Sequence, residues 1–206
     1  MHALFLNGSL KPSSEDSNTD ALIRKVINYY EDMGITSEVI RLADYTIAPG
    51  VEVDMGNGDQ WPEIFEKVKN ADIVILGTPI WMGEKSSITK QAIERLDGGS
   101  SLTNELGQAI YYNKVGGVVV TGNEDGAKNA ASSMIYALSH IGFTIPPNVD
   151  TYWVGEAGPG PSYMEAMQKG ESEFTDQHVK FLAYNTAHFA RMLKSSPIPP
   201  EGNVME

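Results

Sequence analysis

The sequence predicts an α/β fold, a doubly wound and mostly parallel five-stranded sheet with helices on both faces. Three observations carry this. Strand-like apolar runs alternate with segments whose apolar residues recur at helical spacing. Two of those runs, residues 72–77 and 115–120, are continuous and rich in β-branched residues, the pattern of strands buried on both faces. Two helical segments stop at a glycine, Gly34 and Gly142.

Taken in order, residues 3–7 (ALFLN) form the first strand, ending at Gly8-Ser9, and a polar loop leads to a helix over 18–33 with Leu22, Val26, Ile27, Tyr30 and Met33 on one face. The second strand, 37–42, alternates Val39 with Arg41 and belongs nearer a sheet edge. After a long loop over 43–58, Pro62 in the first turn marks a helix over 61–70. The third strand is 72–77, followed by a loop from Thr78 to Ser87 and a helix over 86–96 with Ile88, Ala92, Ile93 and Leu96 in register. An extended connection, 97–114, precedes the fourth strand at 115–120 and a helix over 126–141. Residues 143–145 and 151–154 make the last strand region. A Gly- and Pro-rich stretch, 155–161, then leads to a helix over 175–194. Three of the 11 prolines fall in a tail, 195–206, that is expected to be loosely attached.

At 206 residues the chain fits one domain, 1–194, followed by that tail. Fifteen Lys and Arg against 27 Asp and Glu give a net charge of −12, and basic residues are not clustered, which argues against nucleic acid and against an anionic membrane surface. No stretch approaches the ~20 apolar residues of a membrane span, and the N-terminus lacks the basic start of a secretory signal; a soluble cytoplasmic protein is the simplest reading. With no cysteine there is no disulfide, thiolate nucleophile or Cys-ligated cluster. The four histidines, His2, His140, His178 and His188, have no metal-ligand spacing, so no metal is expected. Serines are plentiful, but none lies in a GxSxG elbow, and no acid–base side chain is singled out as catalytic.

In such a sheet, ligands bind beyond the carboxyl ends of the strands, so the loops after Asn7, Thr78 and Thr121 form the candidate site. The first is dense in hydroxyls and opens a helix, whose free N–H groups and dipole suit a phosphate. Ser9, Ser17, Asn18 and Thr19 are its expected ligands, with Lys11 as the single cation. Ser17, with Asp20 three residues on, reads equally well as a helix cap. There is no GxGxxG and no GxxxxGK[ST]. The second loop places Pro79, Ile80, Trp81, Met82 and Gly83 where polar residues are usual; Trp81 suits a flat ring system, or equally a core or interface position. The third, Thr121-Gly122-Asn123-Glu124-Asp125-Gly126, is flanked by glycines that let backbone approach a ligand closely.

These residues, together with Lys90 ahead of Glu94-Arg95-Leu96-Asp97, resemble the NADPH-dependent FMN reductase branch of the flavodoxin-like superfamily, over about residues 2 to 154. The chain is similar to iron–sulfur flavoproteins as well, without their cluster cysteines. The resemblance implies a flavodoxin-like three-layer sandwich with strand order 2-1-3-4-5. It implies FMN with its phosphate in the first loop, its isoalloxazine ring along the second, and its pyrimidine side against Thr121, Gly122, Asn123, Asp125 and Gly126. The activity implied is hydride transfer from NADPH or NADH to FMN, then electron transfer to a small-molecule acceptor such as a quinone, azo compound or free flavin. The long 97–114 connection and 155–163 suit covering a site or forming a homo-oligomer, a homodimer or homotetramer. The main alternative is an FMN-binding electron carrier without nicotinamide turnover, for which the acidity speaks; a flavin-free scaffold is the third.

Overall fold

The computed structural model describes residues 1–170 and 172–205; Glu171 and Glu206, the last residue of the expected tail, lie outside the described residues. Five parallel strands form the sheet: β1 (His2–Asn7), β2 (Thr36–Arg41), β3 (Ile73–Trp81), β5 (Val115–Gly122) and β6 (Asp150–Val154). A two-residue strand, β4 (Glu84–Lys85), pairs antiparallel with the end of β3. The strand order is β2-β1-β3-β5-β6. With β4 set aside, this is the flavodoxin-like order 2-1-3-4-5, and β2 occupies an edge as its alternating pattern requires.

Side chains alternate across each strand, so a single run feeds two cores. Ala3 and Phe5 of β1 and Ile73 and Ile75 of β3 face α1 (Asn18–Asp32) and α6 (Glu173–Ser195), where Leu22, Val26, Val179 and Leu182 close over them. Leu4, Leu6, Val74, Leu76, Val118 and Val120 face the opposite way, onto α2 (Trp61–Asn70), α3 (Ser87–Asp97) and α4 (Ala127–His140), with Trp61, Phe65, Leu96 and Met134. Each fully buried Leu, Ile, Val or Phe contributes about 1.5 to 3 kcal/mol relative to exposure.

Four features differ from the sequence expectation. Strand β3 does not stop at Gly77 but runs through Thr78, Pro79 and Ile80 to Trp81. Its partner β5 continues alongside to the pair Pro79↔Thr121, so Thr121 and Gly122 are strand residues too. Pairing with β1 ends at Asn7↔Gly77, which leaves Pro79 on a stretch with an open side that tolerates a missing N–H. Beyond it the chain folds back: Ile80↔Lys85 and Trp81↔Glu84 pair across Met82-Gly83, both at positive φ (53° and 76°) as a tight two-residue hairpin turn requires. A short helix, α5 (Tyr163–Met167), interrupts the stretch before α6; Ser162 and Glu165 form a reciprocal capping box at its start. Residues 143–145 contribute only an isolated bridge, Thr144 to Val115. The tail is fastened rather than loose: the Ile198 N–H donates to Asn113 Oδ1 (2.7 Å), Gln108 Nε2 donates to the Ile198 and Pro199 carbonyls, and the Met205 N–H donates to the Gly107 carbonyl.

The irregular segment before α2 is held differently. The side chains of Arg95 and Asp59 are both fully buried and form an ion pair at 2.6 Å. Arg95 also donates to the carbonyls of Ala48, Glu52 and Val53, and its guanidinium lies 5.7 Å over the Trp61 ring. Burial alone would raise the Asp59 carboxyl, but the Arg95 hydrogen bond and the N–H groups of Met55, Ala48 and Trp61 outweigh it and hold the group well below the usual carboxylate range.

Candidate functional site

The carboxyl ends of β1, β3, β5 and β6 converge on a cleft of about 260 Å³. Of the residues singled out in the sequence, Ser9, Lys11, Ser17, Asn18, Thr19, Pro79, Ile80, Trp81, Thr121, Gly122 and Asn123 line it. Met82, Gly83, Asp125 and Gly126 do not. Met82 points outward, 93% exposed at the hairpin tip. Gly126 sits at the start of α4 with φ 126°, and an added Cβ there would meet the Gly83 backbone; Gly126 thus serves the approach of the hairpin, and Gly83 the hairpin turn with its φ of 76°.

The first loop is built from behind. Asn7 Oδ1 accepts the Ser9 N–H (3.0 Å), and the nearly buried Arg41 donates to the carbonyls of Lys11 (3.0 Å) and Pro12 (3.1 Å) while lying 3.6 Å from Asp20. Arg41 ends β2, the strand whose polar alternation marked it as an edge, so an edge strand supplies the loop's brace. Lys11 Nζ reaches back to the Asp16 carbonyl (3.3 Å), curling the loop over itself.

The expected phosphate ligands share one property. Ser9 Oγ accepts the Lys11 N–H, Ser17 Oγ caps α1 by accepting the Asp20 N–H (3.2 Å), and Asn18 Oδ1 accepts the Met164 N–H (3.0 Å). Thr19 and Thr121 join their hydroxyls at 2.9 Å, a bond in which one of the two keeps its hydrogen. At Ser9, Ser17 and Asn18 one lone pair of the oxygen is engaged from within the protein, and the hydroxyl and amide hydrogens remain as donors to offer. The Asn18 and Thr19 N–H groups in the first turn of α1 have no intrahelical partner by helix geometry, and the positive end of the helix dipole lies there. Such donors at a helix N-terminus are suited to an anion.

Much of the remaining lining is apolar. Pro79, Ile80 and Trp81 form one wall, and Trp81 is 54% exposed. The Thr121–Asn123 backbone forms another, braced where the Gly155 N–H donates to the Gly122 carbonyl (2.8 Å). A third wall comes from residues that the sequence reading did not single out: Leu10, Trp153 and Tyr163, the last two packed edge to face at 5.5 Å. The α5 segment carrying Tyr163 is pinned at two points, by Asn18 to the Met164 N–H and by Asn123 Nδ2 to the Gly158 and Gly160 carbonyls. The S-x-x-E spacing of Ser162 and Glu165 is the signal that marks α5 in the sequence. Asp16, Glu124 and Ser162 complete the lining; the Glu124 carboxylate accepts the Met82 N–H (3.0 Å), tying the hairpin to the third loop.

Among the described residues, no helix is long and apolar enough to cross a membrane. In comparisons with known proteins, this chain is 44% identical over 200 residues to the divalent metal cation transporter MntH of Mycobacterium bovis, covering 95% of this chain and 29% of that protein. The chain thus spans less than a third of that relative's length. It is 37% identical over 207 aligned residues to 8-demethyl-8-aminoriboflavin-5'-phosphate synthase of Streptomyces davaonensis, covering 96% of this chain and 80% of that one. Among solved structures, RosB with the bound intermediate 8-demethyl-8-formylriboflavin-5'-phosphate superposes with a TM-score of 0.88 at 35% identity, over 96% of this chain and 82% of that one. Residues 1–157, the stretch containing all three strand-end loops, match the NADPH-dependent FMN reductase family, and the chain belongs to that family.

Proposed function

We propose that this protein binds FMN in the cleft and works as an NAD(P)H-dependent oxidoreductase, passing electrons from a reduced nicotinamide to a quinone, flavin, azo or similar acceptor. The observation that carries the reading is the meeting, in one cleft, of a helix N-terminus flanked by hydroxyl and amide donors with apolar and aromatic walls, which suits a molecule that joins a phosphate to a flat ring. The volume of about 260 Å³ lies just under the usual range for small-molecule sites, ~300 to 1,000 Å³, and fits a ligand only partly enclosed.

In this reading Ser9, Ser17, Asn18, Thr19 and the first-turn N–H groups of α1 hold the phosphate, with Lys11 as the cation lining the cleft. Pro79, Ile80 and Trp81 position the ring, and Trp153 and Tyr163 exclude water from its far edge. Backbone N–H groups at Asn123 and beyond stabilise the negative charge that reduction adds near the pyrimidine side. FMN supplies the hydride acceptance and electron release, so no acid–base side chain is required of the chain.

A second reading follows from the resemblance to the riboflavin-phosphate synthase: the flavin is the substrate, altered at its ring, and the same cleft holds it. One experiment tests both. The purified protein is loaded with FMN, its visible spectrum is followed after anaerobic addition of NADPH or NADH, and the flavin is then released and weighed by mass spectrometry. Prompt bleaching with an unchanged flavin mass is expected of the reductase; a changed mass supports the flavin as substrate; failure to retain FMN at micromolar concentration overturns both.

A further inference from the structure

A second cleft of about 450 Å³, more open than the first, lies beside it and is lined by Leu10, Trp81, Glu84, Lys85, Ser87 and Lys90. Leu10 and Trp81 line both clefts and form the ridge between them. Both present large apolar surfaces to solvent, 44% and 54% exposed. The two lysines are in different states. Lys85 is nearly buried, its ammonium 3.0 Å from Glu84 Oε1 and 2.9 Å from Ser133 Oγ, so its charge is answered within the wall. The Glu84 carboxyl is held below its ordinary range: burial alone would raise it, and the Lys85 N–H and ammonium outweigh that. Lys90 extends from α3 with its side chain 56% exposed, and its contact with Glu94 (3.3 Å) lies one turn further along the helix, outside the cleft lining. Glu84 offsets Lys85 and Glu94 offsets Lys90 through an exposed surface pair, so the cleft is close to neutral in a chain of net −12, with Lys90 as the lining cation open to solvent.

We propose that this second cleft is a subsite for a flat aromatic acceptor bearing a carboxylate or sulfonate, its ring against Trp81 and Leu10 and its acidic group on Lys90 and Ser87. An aromatic face and a cation side by side on an otherwise acidic surface favour such a ligand over a neutral or cationic one. Its role as the acceptor subsite rests on the flavin chemistry proposed above; the binding itself does not.

The test uses the FMN-loaded protein and two probes, anthraquinone-2-sulfonate and the neutral 2-(hydroxymethyl)anthraquinone, with binding measured by equilibrium dialysis and FMN retention followed by its visible absorbance. The sulfonate should bind more tightly than the neutral probe, and Lys90→Gln should weaken the sulfonate by about threefold to fivefold while leaving the neutral probe and FMN retention unchanged. Trp81→Ala should weaken both probes by about twofold to tenfold. Equal affinity of the two probes, a Lys90→Gln loss common to both, or release of FMN by the sulfonate would each overturn the subsite. A protein that takes up no FMN at the outset counts against the proposed function alone, and the two probes are then compared on the same variants without it.

Discussion

Two irregular segments flank the sheet and are fastened by different chemistry. Residues 45–60, between β2 and α2, are pinned by Arg95, whose fully buried guanidinium meets Asp59 and three backbone carbonyls. Residues 155–162, between β6 and α5, hang over the cleft by amide side chains, Asn123 to two carbonyls and, just beyond, Asn18 to the Met164 N–H. Removing one partner of a buried ion pair leaves an unanswered charge in the interior, whereas losing a neutral hydrogen bond near solvent exchanges it for one to water. The segment remote from the cleft is therefore locked into the core. The one at the cleft is attached by bonds that water can replace.

This contrast is testable from its strong side downward. Arg95→Ala is expected to lower unfolding stability by about 3 to 5 kcal/mol in urea titrations, because Asp59 stays buried without its partner. A loss below about 1 kcal/mol would mean the two segments are fastened alike. Acid acts on the same pair. Since the folded Asp59 carboxyl lies below its unfolded value of about 3.9, the stabilisation is complete above that pH and is lost as pH falls toward the folded pKa. Stability measured from pH 6 down to pH 3 should therefore fall more in the natural protein than in Arg95→Ala.

At the cleft, Ser17→Ala should cost about 1 kcal/mol through the lost α1 cap and should speed FMN release on dilution, because the same hydroxyl offers its hydrogen to the proposed phosphate. Unchanged FMN release would confine Ser17 to capping. The smallest effect is expected of Asn123→Ala: less than about 1 kcal/mol in urea, but faster cleavage after Glu156 by a glutamate-specific protease, as the 155–162 segment loses its tie. If Asn123→Ala destabilised as much as Arg95→Ala, the contrast would fail.

Most of the layered architecture was legible because the apolar periods are strong. Residues 72–77 and 115–120 carry the β-branched runs of central strands, and both are central. The end of β3 was not legible: Thr78-Pro79 reads as a strand stop, and only the neighbouring β5 together with the Met82-Gly83 turn keeps the chain extended to Trp81. That pairing is a tertiary fact with no local signature. The donor end of the cleft was read from hydroxyl density at a helix start, a local signal. Trp153 and Tyr163 were missed because they reach the cleft from the last strand and from a five-residue helix, each too short to show a period. Asn18 and Asn123 were singled out as ligand groups, yet the structure uses Asn18 Oδ1 and the Asn123 amide to hold the α5 segment. Side-chain bonds that span 146 and 35 residues leave no trace in spacing.

The contact between Gly126 and Gly83 bears on where Trp81 stands. Because any side chain at 126 would press on the hairpin backbone, and because φ 126° disfavours every residue but glycine, the distance from the hairpin to α4 is set by an atom that is not there. Trp81, two residues back, rides on that hairpin. Position 126 is thus a gauge: any residue larger than glycine there would push the hairpin, and Trp81 with it, away from α4.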